Sequence, residues 1–208
     1  MGKIKIAVMA SGRGSNLQSI IDAIKEGKIN GQIVLVLSDK ADAYALKRAE
    51  IAGIPYDVLL PCDYSERDQY DAALAERIAR SGAELIVLAG FMRILSAAFL
   101  DRFPNRVVNI HPALLPSFPG LHAQEQAFAY GVKVSGCTVH FVDTGVDSGP
   151  IIAQTCVPVL ESDTIEDLTA RILVEEHKLY PQVIAMIADG KVTVDGRKVF
   201  VQSREENR

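Results

Sequence analysis

The sequence lacks the features that mark membrane, secreted and nucleic-acid-binding proteins. No apolar run reaches the roughly 18 residues that a membrane-spanning helix needs. Lysine and arginine form no block, and the formal net charge of −4 argues against a nucleic-acid partner. The chain opens on a short strand-like run instead of a signal peptide with a cleavage site. We therefore expect a cytoplasmic protein that acts on small molecules, with no nucleic acid and no membrane.

Cysteines and metal-ligand spacings are also scarce. The three cysteines, Cys62, Cys137 and Cys156, are far apart and odd in number, so they indicate no disulfide framework. We interpret them as reduced thiols. No two of the four histidines have the spacing of metal ligands, and we predict no metal site.

Apolar sequence, in contrast, is abundant. Of the 208 residues, 49% are hydrophobic, which is enough to bury a sizeable core. Strand and helix patterns alternate as β-α-β-α-β-α-β-α-β up to His111, which predicts a mostly parallel twisted sheet with helices on both faces. Long strand patterns over residues 133–142 and 150–159 share a short linker, so we expect an antiparallel hairpin to end this Rossmann-like α/β sheet.

No repeat, low-complexity tract or linker interrupts the chain, and we expect a single domain over residues 1–208. The last long helix pattern begins after Ser162 or Asp163, either of which is a suitable N-cap. A small hairpin follows over residues 192–201, and we expect the charged tail, residues 203–208, to be frayed. The predicted helices cover residues 17–25, 43–52, 65–80, 96–102, 123–130 and 164–189.

A glycine-rich turn follows the first strand. Residues 11–16, Ser-Gly-Arg-Gly-Ser-Asn, lead from an apolar strand into a helix. This construction is typical of an anion site, because glycine lets the backbone approach the ligand and free N–H groups point at it. Leu17 stands where a dinucleotide fingerprint needs a third glycine, and the lysine of a P-loop is absent. The turn favours one phosphate monoester, although a simple helix cap by Ser15 or Asn16 also fits.

Asn109 and His111 lie where a predicted strand ends and a loop stiffened by Pro112, Pro116 and Pro119 begins. Residues two apart in a strand point to the same side, so both side chains can face one substrate. Histidine exchanges protons near neutral pH, and the asparagine amide can hold a developing oxyanion. This pair suits acyl transfer to an amine. A histidine that merely binds backbone fits the spacing equally well.

The tip of the long hairpin supplies a carboxylate, Asp147, which we pair with His111. A nearby carboxylate raises the pKa of an imidazole, so we expect His111 to be protonated. Of the other histidines, His122 fits the same loop. We interpret His140 as a structural residue inside a strand and His177 as a helix-surface residue.

Four segments carry a family resemblance. In sequence, order and spacing they resemble the phosphoribosylglycinamide formyltransferases of purine synthesis, and the likeness extends over nearly the whole chain to about Pro181. The Asn-x-His-Pro and Asp motifs are shared with other formyltransferases and with formyltetrahydrofolate hydrolases, whereas the Ser-Gly-x-Gly-Ser-Asn turn is more specific. The segments are residues 11–17, 87–95, 109–116 and 139–150.

The resemblance implies a formyl donor, 10-formyltetrahydrofolate, and an acceptor, the amine of 5′-phosphoribosylglycinamide, in de novo purine (IMP) biosynthesis. It implies a monomer or homodimer, with phosphate binding in about residues 1–110 and folate binding and catalysis in about residues 111–190. It assigns catalysis to Asn109, His111 and Asp147, the substrate phosphate to Gly14, Ser15 and Asn16, and the substrate amine to Glu176. Its folate residues are Arg67, Met92, Arg93, Ile94, Leu95, Asn109, Thr144, Gly145, Val146 and Asp147.

Two departures and three alternatives accompany this resemblance. Leu173 and Ser117 replace polar or basic residues of some relatives, which bears on the phosphate contacts. A formyltetrahydrofolate hydrolase would use the same Asn, His and Asp residues but would not need a phosphate turn. A transfer-RNA formyltransferase would carry a further basic domain. A non-catalytic nucleotide- or folate-binding module would bind both ligands without turnover.

Overall fold

The computed structural model describes residues 2–202, so the predicted frayed tail, residues 203–208, lies outside the described part. Seven strands form one sheet in the order β3-β2-β1-β4-β5-β6-β7, and two more form a separate hairpin. In chain order the nine strands are β1 Ile4–Met9, β2 Gly31–Ser38, β3 Tyr56–Val58, β4 Leu85–Leu88, β5 Val107–His111, β6 Val134–Phe141, β7 Ile151–Pro158, β8 Val192–Asp195 and β9 Lys198–Val201.

Six α-helices accompany the strands, and their bounds lie within two residues of the predicted ones. A short 3₁₀ helix over Pro61–Asp63 was not predicted. The helices are α1 Ser15–Lys25, α2 Tyr44–Ile51, α3 Arg67–Ser81, α4 Ala97–Arg102, α5 Ala123–Tyr130 and α6 Ile165–Ala188.

The pairing of the strands confirms the predicted fold class. Strands β1 to β5 pair in parallel, and β6 is antiparallel to both β5 and β7. The short linker between β6 and β7 accounts for their antiparallel pairing, because it cannot make a parallel crossover. The hairpin of β8 and β9 was also predicted correctly.

Both faces of the sheet are buried, which explains why the parallel strands are apolar at nearly every position. In β1, Ile6 and Val8 pack into the core that contains α1, α2 and α6, whereas Ala7 and Met9 pack into the core under α3 and α4. The alternation is the period-2 geometry of a strand applied to a sheet with two apolar sides.

Helix α6 is stabilised by a cap at its N-terminus and by a hydrogen-bonded contact with the sheet. Its N-cap is Thr164, whose side chain and backbone exchange hydrogen bonds with Asp167, so the predicted caps Ser162 and Asp163 were wrong. Further along, the buried Tyr180 hydroxyl lies 2.9 Å from the Leu88 carbonyl oxygen and 3.0 Å from the Val108 carbonyl oxygen. This contact ties α6 to strands β4 and β5 close to the ends at which the functional side chains lie.

Membrane-spanning helices and metal-binding clusters are both absent from residues 2–202. No helix in this range is both long and apolar enough to cross a lipid bilayer. The same residues contain no group of three or more His, Cys, Asp or Glu side chains arranged to hold a metal ion.

Candidate active site

The carboxyl ends of β1, β4 and β5 meet at one edge of the sheet, where ligands bind in open α/β folds. Ser11, directly after β1, ties two of these ends together, because its hydroxyl accepts a hydrogen bond from the Met92 N–H at 2.9 Å. A cavity of about 490 Å³ opens at this edge. Its lining includes Asn16, residues 90–95, Asn109, His111, Gly120, His140, Asp147 and Glu176.

Strand β5 places Asn109 and His111 on the same side, as predicted. His111 is only 4% exposed, and its Nε2 lies 2.8 Å from the carbonyl oxygen of Phe118. A carbonyl can only accept, so Nε2 carries the proton and donates. The proline-rich loop that provides this carbonyl is held to β6 by Thr138, whose hydroxyl donates to the Ala113 carbonyl at 2.6 Å.

Asp147 reaches the same point from the loop between β6 and β7. Its Oδ2 lies 3.2 Å from His111 Nδ1 and accepts a 2.8 Å hydrogen bond from the Gly120 N–H. Its Oδ1 accepts from the Asn109 amide at 3.5 Å. The amide, imidazole and carboxylate that the sequence placed in separate segments therefore lie together, although their catalytic roles remain predictions. We call Asn109, His111 and Asp147 the Asn-His-Asp trio.

The charge of His111 differs from the sequence-based expectation. Burial lowers the pKa of His111 and outweighs the Asp147 carboxylate and the Phe118 carbonyl, which both raise it. The net direction is thus opposite to the raised pKa that the sequence analysis expected, and it favours the neutral ring. The expectation failed because it counted the carboxylate and not the loss of solvent.

Asp147, in contrast, remains a carboxylate. Burial raises its pKa, but the His140 side chain, the Gly120 N–H and the neighbouring imidazoles lower it further, and the net pKa lies below the ordinary value. Since the His111 Nδ1 proton is present only in the imidazolium, proton uptake at this nitrogen completes an ion pair with Asp147.

His140 lies in the candidate site, which the sequence analysis did not predict. It pairs with Asn109 across β5 and β6, and its Nε2 lies 3.3 Å from the Asn109 amide nitrogen and 3.7 Å from Asp147 Oδ1. Its Nδ1 lies 2.8 Å from the Phe141 carbonyl oxygen. The structural role expected for His140 therefore applies to Nδ1, whereas Nε2 faces the trio. The strand pattern shows that His140 is buried but not that it faces the trio, because that depends on the register of β6.

The glycine-rich turn over residues 11–16 has the geometry of an anion site, and we call it the anion turn. Gly14 adopts φ 67°, and a Cβ there would lie 2.8 Å from Ala45, so both the conformation and the packing require glycine. Helix α1 begins at Ser15, and its first hydrogen bond runs from the Gln18 N–H to the Gly14 carbonyl. The N–H groups of residues 15–17 therefore have no partner within the helix. Asn16 lines the cavity, whereas Gly14 and Ser15, its neighbours in the chain, do not.

Asn16 and Glu176 connect this turn to α6. The Asn16 amide donates a 2.8 Å hydrogen bond to Glu176 Oε2, although 160 positions separate the two residues. Burial raises the pKa of Glu176, and the Asn16 bond opposes that shift. Asn16 Oδ1 is buried without a hydrogen-bond partner among the described residues, so it can accept a donor from a ligand in the cavity.

The predicted folate residues fall into two groups. Residues 92–95 and 145–147 line the cavity, and Met92, Ile94 and Val146 are each about half exposed at its mouth. Arg67 and Thr144 do not line it. Arg67 instead donates a 2.7 Å hydrogen bond from Nη2 to the Ile94 carbonyl, which supports the wall of the cavity from outside.

The two remaining histidines differ in exposure. His122 lines the cavity mouth and pairs with Glu125 at 2.5 Å. His177 lies on the surface of α6 with intermediate exposure, but its Nε2 is buried, and burial and Arg48 lower its pKa. It lies in a separate groove between α1, α2 and α6. Of the two departures from the family pattern, Leu173 lines the cavity and Ser117 does not.

Comparison with sequence families gives a match over most of the chain. Residues 4–184 match the sequence model described as Formyl transferase. The chain is 47% identical to phosphoribosylglycinamide formyltransferase of Escherichia coli (strain K12), over 91% of this chain and 89% of that protein. It is 48% identical to the trifunctional purine biosynthetic protein adenosine-3 of Drosophila melanogaster, again over 91% of this chain. It spans only 14% of the length of that larger relative.

A solved structure gives the same result for the fold. The chain resembles glycinamide ribonucleotide transformylase 1 from Symbiobacterium toebii with a TM-score of 0.95 and 53% sequence identity. The match covers 97% of this chain and 95% of that one.

Proposed function

The chain belongs to the formyl transferase family, and we propose that it transfers the formyl group of 10-formyltetrahydrofolate to the amine of 5′-phosphoribosylglycinamide. The products are 5′-phosphoribosyl-N-formylglycinamide and tetrahydrofolate, and the reaction is a step of de novo purine biosynthesis. The single observation that carries the proposal is one cavity in which the Asn-His-Asp trio, the buried Glu176 and the side chain of Asn16 from the anion turn are combined.

The trio provides what direct formyl transfer requires. The acceptor amine attacks the formyl carbon, a new C–N bond forms, and the negative charge moves to the formyl oxygen. The Asn109 amide is a donor for that oxygen, in a cavity whose partial burial strengthens the interaction. The bond to the folate nitrogen then breaks, and one proton passes from the attacking amine to the leaving nitrogen.

His111 and Asp147 manage that proton. Because burial favours the neutral ring, His111 can take up at Nδ1 the proton that the amine releases, which the Asp147 carboxylate relays, and it then becomes an imidazolium that can donate from Nε2. The charged ring then stabilises the oxygen and returns the proton to the leaving nitrogen. Both ring nitrogens already have partners, so the ring exchanges its Phe118 contact for the substrate when it acts.

The acceptor is recognised at the other end of the cavity. The free N–H groups at the start of α1 suit one phosphate, with Gly14, Ser15 and Asn16 forming the cradle. Glu176 holds the amine end, and Asn16 fixes the position of its carboxylate. We also propose a phosphate-binding half over about residues 1–110 and a folate-binding and catalytic half over about residues 111–190, with Arg67, residues 92–95 and Asn109 as contributions of the first half to the folate and catalytic sites.

The formyl donor occupies the apolar side. Met92, Ile94, Leu121 and Val146 border the mouth with partly exposed side chains, which suits a flat heteroaromatic ring. Arg67 and Arg93 supply positive charge near this wall for the carboxylates of the donor. We also propose a cytoplasmic location and a monomer or homodimer, and the free, exposed thiols of Cys62 and Cys156 suit a reducing compartment.

The test is a reconstitution with each component omitted in turn. Protein, 10-formyltetrahydrofolate and 5′-phosphoribosylglycinamide are mixed, and the formylated amine is measured by mass spectrometry. We expect product only in the complete mixture. His111→Ala should lower kcat by about 10²–10⁴-fold and leave binding of the phosphate substrate nearly unchanged. Near-normal turnover by this variant would falsify the role of His111.

A hydrolase is the second candidate, since it would use the same trio with water as the acceptor. Formate release without the amine substrate, at the rate of the complete reaction, would favour it. The anion turn and the Asn16–Glu176 bond favour the transferase, because a hydrolase has no phosphate-bearing acceptor to hold.

A further inference from the structure

The small hairpin of β8 and β9 touches the loop that carries Asp147. Arg197 lies in its turn, directly after Gly196, and donates a 2.8 Å hydrogen bond from Nη2 to the carbonyl oxygen of Ser148. Ser148 is the residue after Asp147, and 49 positions separate it from Arg197. This hairpin lies outside the cavity, and neither the family resemblance nor the trio gives it a role.

Hydrogen bonds within the Asp147 loop determine its curvature but do not attach it to other elements. Inside the loop, the Ser148 hydroxyl donates to Asp143 Oδ1 at 2.6 Å, and the Gly145 N–H donates to the same oxygen at 3.1 Å. At its base, a Cβ on Gly149 would lie 1.9 Å from the Phe141 carbonyl oxygen, so the return strand packs against β6 without space. These bonds set the curvature of the loop but do not attach its tip to the rest of the protein.

Asp147 itself is in a conformation that needs support. Its φ of 49° is left-handed, which is unfavourable for a residue with a Cβ. Its carboxylate is held by Gly120 and His111 on the cavity side. The Arg197 bond adds an anchor from a different element, at the Ser148–Gly149 peptide unit, one residue beyond Asp147.

The hairpin is itself attached to the core, so it can act as an anchor. Val192, Val194 and Val199 are partly buried against the main hydrophobic core. The hairpin also begins directly after α6, and the Lys191 N–H donates a 3.0 Å hydrogen bond to the Met186 carbonyl of that helix. The contact between Arg197 and Ser148 therefore links the Asp147 loop to the hydrophobic core through the packed hairpin.

We propose that Arg197 is a positioning residue, which holds the Asp147 loop so that its carboxylate stays on His111. The proposal rests on the proposed function, because it takes formyl transfer as the reaction that Asp147 serves. Arg197 touches neither the cavity nor the reacting atoms. Its guanidinium acts through the Ser148 carbonyl, with a charge-assisted bond that is stronger than a neutral one.

The experiment compares Arg197→Ala and Arg197→Lys with Lys198→Ala. Lys198 is exposed in the same hairpin, so its removal deletes the same charge without touching the loop. We expect R197A to lower kcat/KM for the formyl donor by roughly three- to tenfold, with an unchanged melting temperature because Arg197 is exposed. R197K should recover part of the loss, and K198A should match the unchanged protein.

A second measurement separates positioning from a merely structural role. The groups that face the His111 ring are Asp147 from the loop, His140 from β6 and the Phe118 carbonyl. When the loop loosens, the raising effect of Asp147 weakens, so an NMR titration should show a lower pKa for His111 in R197A than in K198A. Equal titrations in the two variants would overturn the proposal, whether or not R197A melts at a lower temperature.

The two proposals can fail separately. If the unchanged protein transfers no formyl group, the proposed function is wrong, and the His111 titration alone then decides the role of Arg197. If the unchanged protein is active and R197A equals K198A in both kcat/KM and titration, the positioning role is wrong and the proposed function stands.

Discussion

Two opposing influences act on the ring of His111. Burial lowers the pKa of the imidazole, whereas Asp147 raises it from 3.2 Å away. An enzyme that moves a proton at neutral pH gains from this balance, because the ring can both take up and release the proton. The balance also makes the contribution of Asp147 measurable by itself.

Asp147→Asn should lower the pKa of His111 further below its ordinary value, because the neutral amide no longer favours the imidazolium. An NMR pH titration of the His111 ring measures the change. Asp101→Asn, on the exposed side of α4, is a matched control and should leave the titration as it is. A D147N titration that coincides with this control would remove Asp147 from its role.

Glu176 illustrates a residue whose function costs stability. Burial raises its pKa, so the folded state binds the proton more tightly than the unfolded chain does. The stability from this group is fully present below the unfolded value of 4.5 and is lost as pH rises through the raised pKa. The carboxylate is retained because the proposed amine substrate needs it.

Glu176→Gln should therefore raise the melting temperature at pH 7–8, where the buried charge is removed and the acceptor for Asn16 is kept. Each kcal/mol gained corresponds to about 2–4 °C for a chain of this size. Thermal unfolding across pH measures the gain, which should shrink toward pH 4.5. Glu175→Gln, on the same helix but paired with Lys178 at the surface, should change little. Formyl transfer should fall in E176Q only.

At the scale of elements, the close pairing of β6 and β7 supports the site. Gly136 in β6 has no space for a side chain, since a Cβ there would lie 2.0 Å from the Thr155 carbonyl oxygen in β7. The two strands carry the Asp147 loop at their far end. A change in the distance between β6 and β7 would therefore move the carboxylate of Asp147.

Gly136→Ala should lower the free energy of unfolding by about 1–3 kcal/mol, because the added methyl group pushes the two backbones apart. Chemical denaturation measures the loss. Gly12→Ala is the matched control for stability, since a Cβ at Gly12 meets no atom within 4 Å. Equal free energies of unfolding for G136A and G12A would show that β6 and β7 can move apart without loss of stability.

The elements were also the part of the structure that the sequence predicted best. Period-2 and period-3.6 patterns are local, and both ends of α5 were predicted correctly from Ala123 and Tyr130. The N-cap of α6 was not, because Ser162, Asp163 and Thr164 are all suitable caps, and the reciprocal bonds with Asp167 decide between them.

At the scale of the whole molecule, stability should depend on pH through its buried imidazoles. Both His111 and His177 have a pKa lowered mainly by burial. The unfolded chain then binds more protons than the folded one, so the stability from these groups is present above about pH 6.5 and is lost as pH falls through the lowered values.

These two imidazoles should therefore lower the free energy of unfolding between pH 8 and pH 5, against the opposite effect of Glu176, and urea denaturation at each pH measures their share in variants. His177→Gln removes one of the two groups without touching the cavity, and its curve should be flatter in this range. Parallel curves for H177Q and the unchanged protein would contradict the assignment of His177 as a group that resists protonation.

Topology explains which parts of the site could be predicted from the sequence. The Gly14–Asn16 turn, residues 90–95 and the Asn109–His111 pair all follow parallel strands, so the fold class alone brings them to one edge. The position of His140 depends on strand register, and that of His177 on how α6 lies against α1 and α2. The charge of His111 depends on burial. None of these three is encoded in a local pattern.

The hydrogen bond between Asn16 and Glu176 has a consequence for synthesis on the ribosome. The anion turn is synthesised before its carboxylate partner, which lies 160 positions further along the chain. A nascent chain can shape the turn early, yet it cannot assemble the amine-binding end until α6 has left the exit tunnel.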